Sequence, residues 1–211
     1  MPAPRIKICG IKTPEDALFA EALGVDAIGL VFHAGSPRNV TLDEAATVLG
    51  VLGGFVSPVA LFHNATVELV SEVLNRFPQL LPQFHGAETV SYCEQFGRPY
   101  LKAFGMGGQA PTLGEINAHT MASAVLLDAN THGQEGGTGD VFDWSRIPDG
   151  LERPVILAGG LTPDNVAEAV GAWPLYAVDV SSGVESSRGV KDHGLMKKFV
   201  ENTRGTSREV F

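Results

Sequence analysis

Short apolar runs alternate with helical patterns about eight times along the 211 residues of the chain. This alternation is typical of parallel α/β architecture, because each strand that lies beside its predecessor in parallel needs a crossover segment. The pattern predicts eight strands, at Arg5–Cys9, Ala27–Phe32, Pro58–Phe62, Leu80–Phe84, Tyr100–Phe104, Ala124–Asp128, Pro154–Ala158 and Tyr176–Val180.

Helical patterns fill the stretches between these runs. The first has Thr13 as a candidate N-cap, Pro14 in the first turn and Gly24 as a stop signal. A weaker pattern of one or two turns follows strand six around Asp143–Ile147. The predicted helices are Pro14–Leu23, Leu42–Leu52, Val67–Arg76, Ala87–Phe96, Leu113–His119, Asp164–Ala172 and Val190–Thr203.

The same elements fit either a doubly wound open sheet or a closed (β/α)8 TIM barrel. The strand–helix units recur without interruption, and no G-x-G-x-x-G fingerprint follows the first strand, so we favour the barrel. No linker or change in composition divides the chain. We therefore expect one compact α/β domain over residues 1–211, with residues 205–211 as a disordered tail.

Charge and cysteine content narrow the functional classes. The formal net charge of −9 disfavours nucleic acid as a partner, because a phosphate backbone needs clustered Lys and Arg. Cys9 and Cys93 are too few for a disulfide framework, which indicates a reducing compartment. Since no run has the roughly 18 apolar residues of a membrane span and the first segment does not resemble a secretory signal, we expect a cytoplasmic protein without membrane contact.

Chemistry in such barrels lies where strands end and helices begin. In strand one, Ile6 and Ile8 suit the helix layer, so Arg5, Lys7 and Cys9 should point into the barrel, with Cys9 at the top. A lone Cys with apolar neighbours is more often core filler than a catalytic group. Cys9 becomes a functional candidate only together with polar residues at other strand ends.

Three other strands supply such residues. Asp128 ends strand six, although the uniform apolar run before it leaves open which side Asp128 faces. Asp179 should turn inward in strand eight, and Gln83 and His85 share a face of strand four opposite Phe84. Each has an ordinary structural explanation, such as capping of a loop by Asp. Their joint occurrence at one end of successive strands favours a functional site.

Two glycine-containing turns follow strands seven and eight, at 158–163 and 181–185. Barrels commonly bind phosphate at these two turns through backbone N–H groups, which require no net positive charge. Glycines also turn chains for purely structural reasons, but both turns lie where a phosphate site is expected. A third glycine-rich loop, at 136–139, suits a mobile cover. The candidate phosphate-binding residues are Gly159, Gly160, Ser182 and Gly183.

An ordered series of motifs along nearly the whole chain resembles the phosphoribosylanthranilate isomerase family of tryptophan biosynthesis. Departures are mild: Phe84 replaces a usual Leu, and Val59–Phe62 lacks a usual Gly. The motifs are Lys7-Ile8-Cys9-Gly10-Ile11, Ser36-Pro37-Arg38-Asn39-Val40, Gln83-Phe84-His85-Gly86, Leu127-Asp128, Gly136-Gly137-Thr138-Gly139, Phe142-Asp143-Trp144, Leu157-Ala158-Gly159-Gly160-Leu161, Asp179-Val180-Ser181-Ser182-Gly183-Val184-Glu185 and Gly189-Val190-Lys191-Asp192.

The resemblance implies an Amadori rearrangement of N-(5-phosphoribosyl)anthranilate to 1-(2-carboxyphenylamino)-1-deoxyribulose 5-phosphate. It implies that Asp128 is the general acid and Cys9 the general base. Arg38 would bind the anthranilate carboxylate, since its fork suits carboxylates. His85, Asp179 and Gln83 would contact or orient the substrate. No cofactor is implied, and the six scattered His residues show no metal-ligand spacing.

These roles make demands on ionisation. The usual pKa of Asp is about 3.9, so an acid at neutral pH needs that pKa raised. The usual pKa of Cys is about 8.5, so a base needs help toward thiolate, for which Lys7 or Arg5 is available on the same face. We expect a pH–rate profile with two ionisations.

Other functions use the same scaffold. An indole-glycerol-phosphate synthase would need an extra N-terminal segment and a catalytic Lys set, and a pentose-phosphate epimerase would need metal-binding His and Asp pairs at several strand ends. A barrel that only binds a phosphorylated metabolite would need neither Cys9 nor Asp128. The isomerase is thus favoured, with a phosphorylated small molecule as its substrate and either a monomer or a homodimer as its assembly.

Overall fold

Eight parallel strands pair in chain order and close into a barrel, with β1 hydrogen-bonded to both β2 and β8. The computed structural model describes residues 3–131 and 147–205. The barrel strands are β1 (Arg5–Cys9), β2 (Ala27–Val31), β3 (Ser57–Phe62), β4 (Leu81–Phe84), β5 (Tyr100–Gly107), β6 (Ala122–Thr131), β7 (Val155–Ala158) and β8 (Ala177–Val180). The predicted (β/α)8 barrel is confirmed.

Helices cover the outside of the barrel between most strands. The described helices are α1 (Pro14–Ala22), α2 (Leu42–Leu49), α3 (Val67–Arg76), α4 (Val90–Glu94), α5 (Leu113–Asn117), α6 (Val166–Ala172) and α7 (His193–Gly205). None of them has the length and apolarity that crossing a bilayer requires. The 136–139 and 142–144 motifs lie outside the described residues. So do residues 206–211 and, apart from Ile147, the predicted turns around Asp143–Ile147.

A threonine is the N-cap of five of the seven described helices. In each case its side-chain oxygen accepts a hydrogen bond from the backbone N–H three residues later, which satisfies one of the free donors of the first turn. Thr41 and Thr112 form complete capping boxes with Glu44 and Glu115. The capping residues are Thr13, Thr41, Thr66, Thr89 and Thr112.

Alternation along the strands divides the apolar residues into two separate clusters. One fills the barrel interior and the other lies between the strands and the helices. In β6, Ala124 and Leu126 belong to the interior cluster, whereas Val125 and Leu127 belong to the helix layer. Asp128 therefore points inward, which the sequence alone left open.

The prediction of a helix over Val190–Thr203 was wrong at its start. Two short strands, β9 (Glu185–Ser187) and β10 (Val190–Lys191), form an antiparallel ribbon after a 3-10 turn. Helix α7 begins only after Asp192, whose Oδ1 accepts the Leu195 N–H at 2.8 Å. The chain thus places a ribbon between the last barrel strand and the last helix.

Candidate active site

A cleft opens at the carboxyl ends of the barrel strands. Its atom-free space, including the open mouth, is ≈ 880 Å³. The polar side chains that line it include six of those predicted from the sequence: Cys9, Arg38, His85, Asp128, Asp179 and Ser182. Residues of β1, β6 and β8 and of the loops after β2, β4 and β8 are thus brought together.

Burial dominates the environment of Cys9. The residue is 4% exposed, and the close approach of β2 leaves no room for a side chain at Gly29, where an added Cβ would lie 2.6 Å from the Cys9 sulfur. Burial raises the pKa of the Cys9 thiol, and the nearby Lys7 ammonium lowers it without cancelling that effect. The thiol is therefore the resting form at neutral pH.

Lys7 connects Cys9 with Asp179. Its Nζ donates to both Asp179 carboxylate oxygens at 2.9 Å and also contacts the Cys9 sulfur. Burial lowers the pKa of Lys7, but Asp179 and Cys9 raise it by more, so the ammonium form is held. Arg5, the other cation expected to assist Cys9, lies at the opposite end of β1, with its guanidinium 4.6 Å from the centre of the Tyr176 ring. That part of the expectation was wrong.

A second chain of contacts ends at Asp128. The His85 Nε2 lies 3.2 Å from Asp128 Oδ2, and the His85 Nδ1 lies 3.1 Å from Gln83 Nε2. If the Gln83 amide donates to Nδ1, His85 carries its proton on Nε2 and donates it to Asp128. Gln83 is fully buried and does not line the cleft. It reaches the site only through His85.

Arg38 enters the cleft with part of its guanidinium already bound. Its Nε and Nη2 donate to the two carboxylate oxygens of Glu185 at 2.7 and 2.9 Å. The stem of Arg38 passes so close to Gly10 that an added Cβ would lie 2.7 Å from its Cδ, and Gly10 has φ +78°. Nη1 and the second Nη2 hydrogen remain as donors for another anion.

The two glycine-containing turns lie side by side at one end of the cleft. Gly159, Gly160 and Ser182 line it. Gly159 and Gly160 have φ of +80° and +64°, which side chains rarely adopt. Gly183 does not line the cleft. A Cβ there would overlap the Leu161 carbonyl, so this glycine lets the two turns pack against each other.

Three ionisable lining residues were missed from the sequence. His33 lies two residues after β2 and His63 directly after β3, with their rings 5.1 Å apart. The strand-end rule used for His85 was sufficient to find them. Arg188 lies in the turn between β9 and β10 and is exposed. No signal indicated Arg188, because that ribbon was predicted as a loop and the start of a helix.

No cluster of three His, Cys, Asp or Glu side chains with the arrangement of a metal site occurs within residues 3–131 and 147–205. The lining cations are Arg38 and Arg188. Together with the backbone N–H groups of the turns, they provide a local environment for anions inside an acidic protein. The cleft therefore suits a small molecule with anionic groups.

Comparison with known proteins points to one family. A family model described as N-(5′-phosphoribosyl)anthranilate isomerase matches residues 6–202. A relative of that name from Pseudomonas fluorescens (strain Pf0-1) is 50% identical over 204 residues, which cover 97% of this chain and 100% of the relative.

Solved structures agree with the sequence comparison. The phosphoribosyl anthranilate isomerase from Thermotoga maritima has a TM-score of 0.87 and 36% identity, covering 96% of this chain and 99% of that one. A phosphoribosyl anthranilate isomerase in complex with reduced 1-(o-carboxyphenylamino)-1-deoxyribulose 5-phosphate has a TM-score of 0.80 and 34% identity, with coverage of 96% and 99%.

Proposed function

Because the chain belongs to the N-(5′-phosphoribosyl)anthranilate isomerase family of tryptophan biosynthesis and is such an isomerase, we propose that Asp128 is its general acid and Cys9 its general base. The reaction converts N-(5-phosphoribosyl)anthranilate to 1-(2-carboxyphenylamino)-1-deoxyribulose 5-phosphate. It is an internal redistribution of protons and electrons, so one acid and one base are sufficient.

The first step opens the ribose ring. Asp128 donates its proton to the ring oxygen while the bond from that oxygen to C1′ breaks, and the anilino nitrogen lone pair forms a C=N⁺ double bond. His85, 3.2 Å from the carboxyl group, orients Asp128 and in turn is held by Gln83. In this role Gln83 positions the substrate-contacting groups without touching the substrate.

The second step removes the proton from C2′. The Cys9 thiolate takes it, the C–H electron pair becomes a C1′=C2′ double bond, and the nitrogen recovers its lone pair. The resulting enolamine tautomerises to the ketone. Lys7 is the ammonium that favours the thiolate, and Asp179 holds Lys7 at 2.9 Å while its carboxylate faces the ribose hydroxyls.

The two ends of the substrate are bound by different parts of the cleft. The N–H groups around Gly159, Gly160, Ser182 and Gly183 take the phosphate, the first three as lining residues. Arg38 takes the anthranilate carboxylate with the guanidinium N–H groups that Glu185 leaves free.

One observation carries this assignment. Cys9 and Asp128 come from strands on different sides of the barrel, yet both line the cleft that also contains the two glycine turns. A phosphate held at the turns therefore brings the attached ribose toward a thiol and a carboxyl group at once. A protein that only bound the metabolite would need neither group.

The test follows the fluorescence decay of phosphoribosylanthranilate generated in situ. We expect fast decay with the unmodified chain, and a loss of at least about a hundredfold with Cys9→Ala and with Asp128→Ala, the range of one acid–base group. Cys93→Ala is the matched control, since Cys93 is also a buried free thiol but belongs to α4. Retained activity in Cys9→Ala, or an equal loss in Cys93→Ala, contradicts the assignment.

We further propose that the enzyme works in the cytoplasm, without nucleic acid or membrane as partner, and as a monomer or a homodimer. A reducing compartment keeps the Cys9 thiol free for its role. All proposed site residues come from one chain, so neither assembly alters the chemistry. Gel filtration with light scattering distinguishes the two assemblies.

A further inference from the structure

A buried series of three charges lies beside the cleft. The Glu185 carboxylate accepts the two N–H groups of Arg38, and its Oε1 also accepts from Lys191 Nζ at 2.9 Å. The side chains of Arg38, Glu185 and Lys191 are 9%, 4% and 1% exposed. Three charges this deep are costly unless they are paired and hydrogen-bonded, as these are.

The three charged side chains are also connected to the glycine-containing turn at 181–185. Lys191 Nζ donates to the Ser181 carbonyl at 2.8 Å, and Ser181 Oγ donates to the Cys9 carbonyl at 3.1 Å. On the other side, Glu185 Oε2 accepts the Gly189 N–H of the ribbon turn at 3.0 Å. The Glu185 carboxylate thus connects the loop after β2 and the ribbon directly, and it connects the turn after β8 through Lys191.

Lys191 determines the net charge of this group of three residues. Arg38 paired with Glu185 alone has no net charge, and such a pair attracts an anion weakly. Lys191 brings the series to a net charge of +1. Burial raises the pKa of Glu185, but Arg38, Lys191 and the Gly189 N–H lower it by more, so the carboxylate stays ionised.

We propose that Glu185 and Lys191 are positioning residues for substrate binding, which fix the Arg38 guanidinium and the Ser181 turn relative to each other. The inference rests on the proposed function, since it assumes that Arg38 and the turn hold the two anionic ends of one substrate. Both residues act through their neighbours, and neither needs to touch the substrate. Glu185 belongs to β9 and Lys191 to β10, so the ribbon places both residues beside the cleft.

The test compares Lys191→Met, Glu185→Gln and the double variant. Their net charges at the series are 0, +2 and +1, so the double variant restores the charge without restoring the ion pairs. We expect all three variants to raise KM about tenfold, which corresponds to the loss of one charge-assisted hydrogen bond. We expect kcat to change much less. Lys197→Met, which removes an exposed cation of α7, is the charge control and should leave KM unchanged.

A second readout does not depend on turnover. Calorimetric titration with inorganic phosphate should show affinity weakened about tenfold in Lys191→Met, because the Ser181 turn loses its anchor. The proposed function fails if Cys9→Ala or Asp128→Ala keeps its isomerase activity, but the phosphate titration still tests the coupling. The inference is overturned if Glu185→Gln binds more tightly and the double variant equals the unmodified chain, which indicates charge alone. It is also overturned if the variants unfold at a lower temperature while KM and phosphate affinity are unchanged.

Discussion

Burial decides the state of Cys9 before substrate arrives. The thiol is nearly inaccessible, and its pKa is raised because desolvation outweighs the effect of Lys7. The sequence correctly placed Lys7 and Cys9 on one face, since alternation along a strand follows from geometry. The direction of the pKa shift was not predictable, because it depends on the depth of burial that the other strands create.

Thiolate formation at Cys9 should require an unusually high pH. Because the pKa of the thiol is raised, the thiolate fraction should still be increasing at pH about 8.5, the ordinary value for a thiol. The measurement is the ultraviolet absorbance of the thiolate between pH 6 and 9.5, taken as the difference between the unmodified chain and Cys9→Ala. A plateau reached below pH 8 contradicts the environment described for Cys9.

At the scale of elements, strands were predicted better than the segments that join them. All eight barrel strands begin within two residues of the predicted positions, because short apolar runs bounded by turns leave little freedom. The helix α4 is much shorter than the predicted Ala87–Phe96. Glu88 bonds the Gly86 and Asn64 N–H groups and Lys102, so the chain before Thr89 is a structured loop.

The ribbon of β9 and β10 was missed for a related reason. Four of its five strand residues are polar and its strands are short, so no periodicity marks them. Its pairing is fixed by Glu185 and Lys191, whose contacts with Arg38 and Ser181 are made across the barrel end. Contacts between residues distant in sequence leave no local pattern.

Packing of the two glycine turns gives a prediction at this scale. Gly183→Ala places a Cβ against the Leu161 carbonyl, so the turns must separate, and we expect a loss of stability of about 1–3 kcal/mol with weaker phosphate binding. Gly171→Ala is the matched control. It lies within α6 with open space around the new Cβ, and should stabilise by about 0.5–1 kcal/mol. Urea unfolding measures both, and equal effects contradict the packing argument.

For the whole molecule, the repeated pattern was sufficient to predict the barrel and the end at which its site lies. Strand order and the rule that strand ends carry chemistry brought Cys9, His85, Asp128 and Asp179 to one cleft. The roles of Gln83 and Gly183, which lie behind the cleft, depend on side-chain and turn contacts that only the folded chain contains.

Global stability should depend on pH through His119. The imidazole is buried and contacts the Tyr100 hydroxyl at 2.9 Å, and burial, with Lys102 nearby, lowers its pKa to about 4. In the unfolded chain the usual value is about 6.5. Above pH 6.5 both states are neutral and stability is full. As pH falls toward 4, only the unfolded chain gains the proton, so the folded state loses up to about 1.4 kcal/mol per pH unit.

Urea unfolding at pH 7.5 and pH 5 measures this contribution. His119→Gln keeps a hydrogen-bond acceptor for Tyr100 but does not titrate, so the difference in unfolding free energy between the two pH values should shrink in this variant. If this free-energy difference is the same in the variant and in the unmodified chain, groups other than His119 cause the loss of stability in acid.

The Lys7–Asp179 ion pair joins the first strand to the last, 172 positions apart along the chain. During synthesis, Cys9 leaves the ribosome long before its partners on β8 exist. A nascent chain therefore has the thiol and the Lys7 ammonium without the Asp179 carboxylate and without a phosphate turn, and under the proposed assignment it cannot turn over metabolite. Under that assignment, activity begins only when β1 and β8 pair. We therefore expect chains that end before β8 to be inactive.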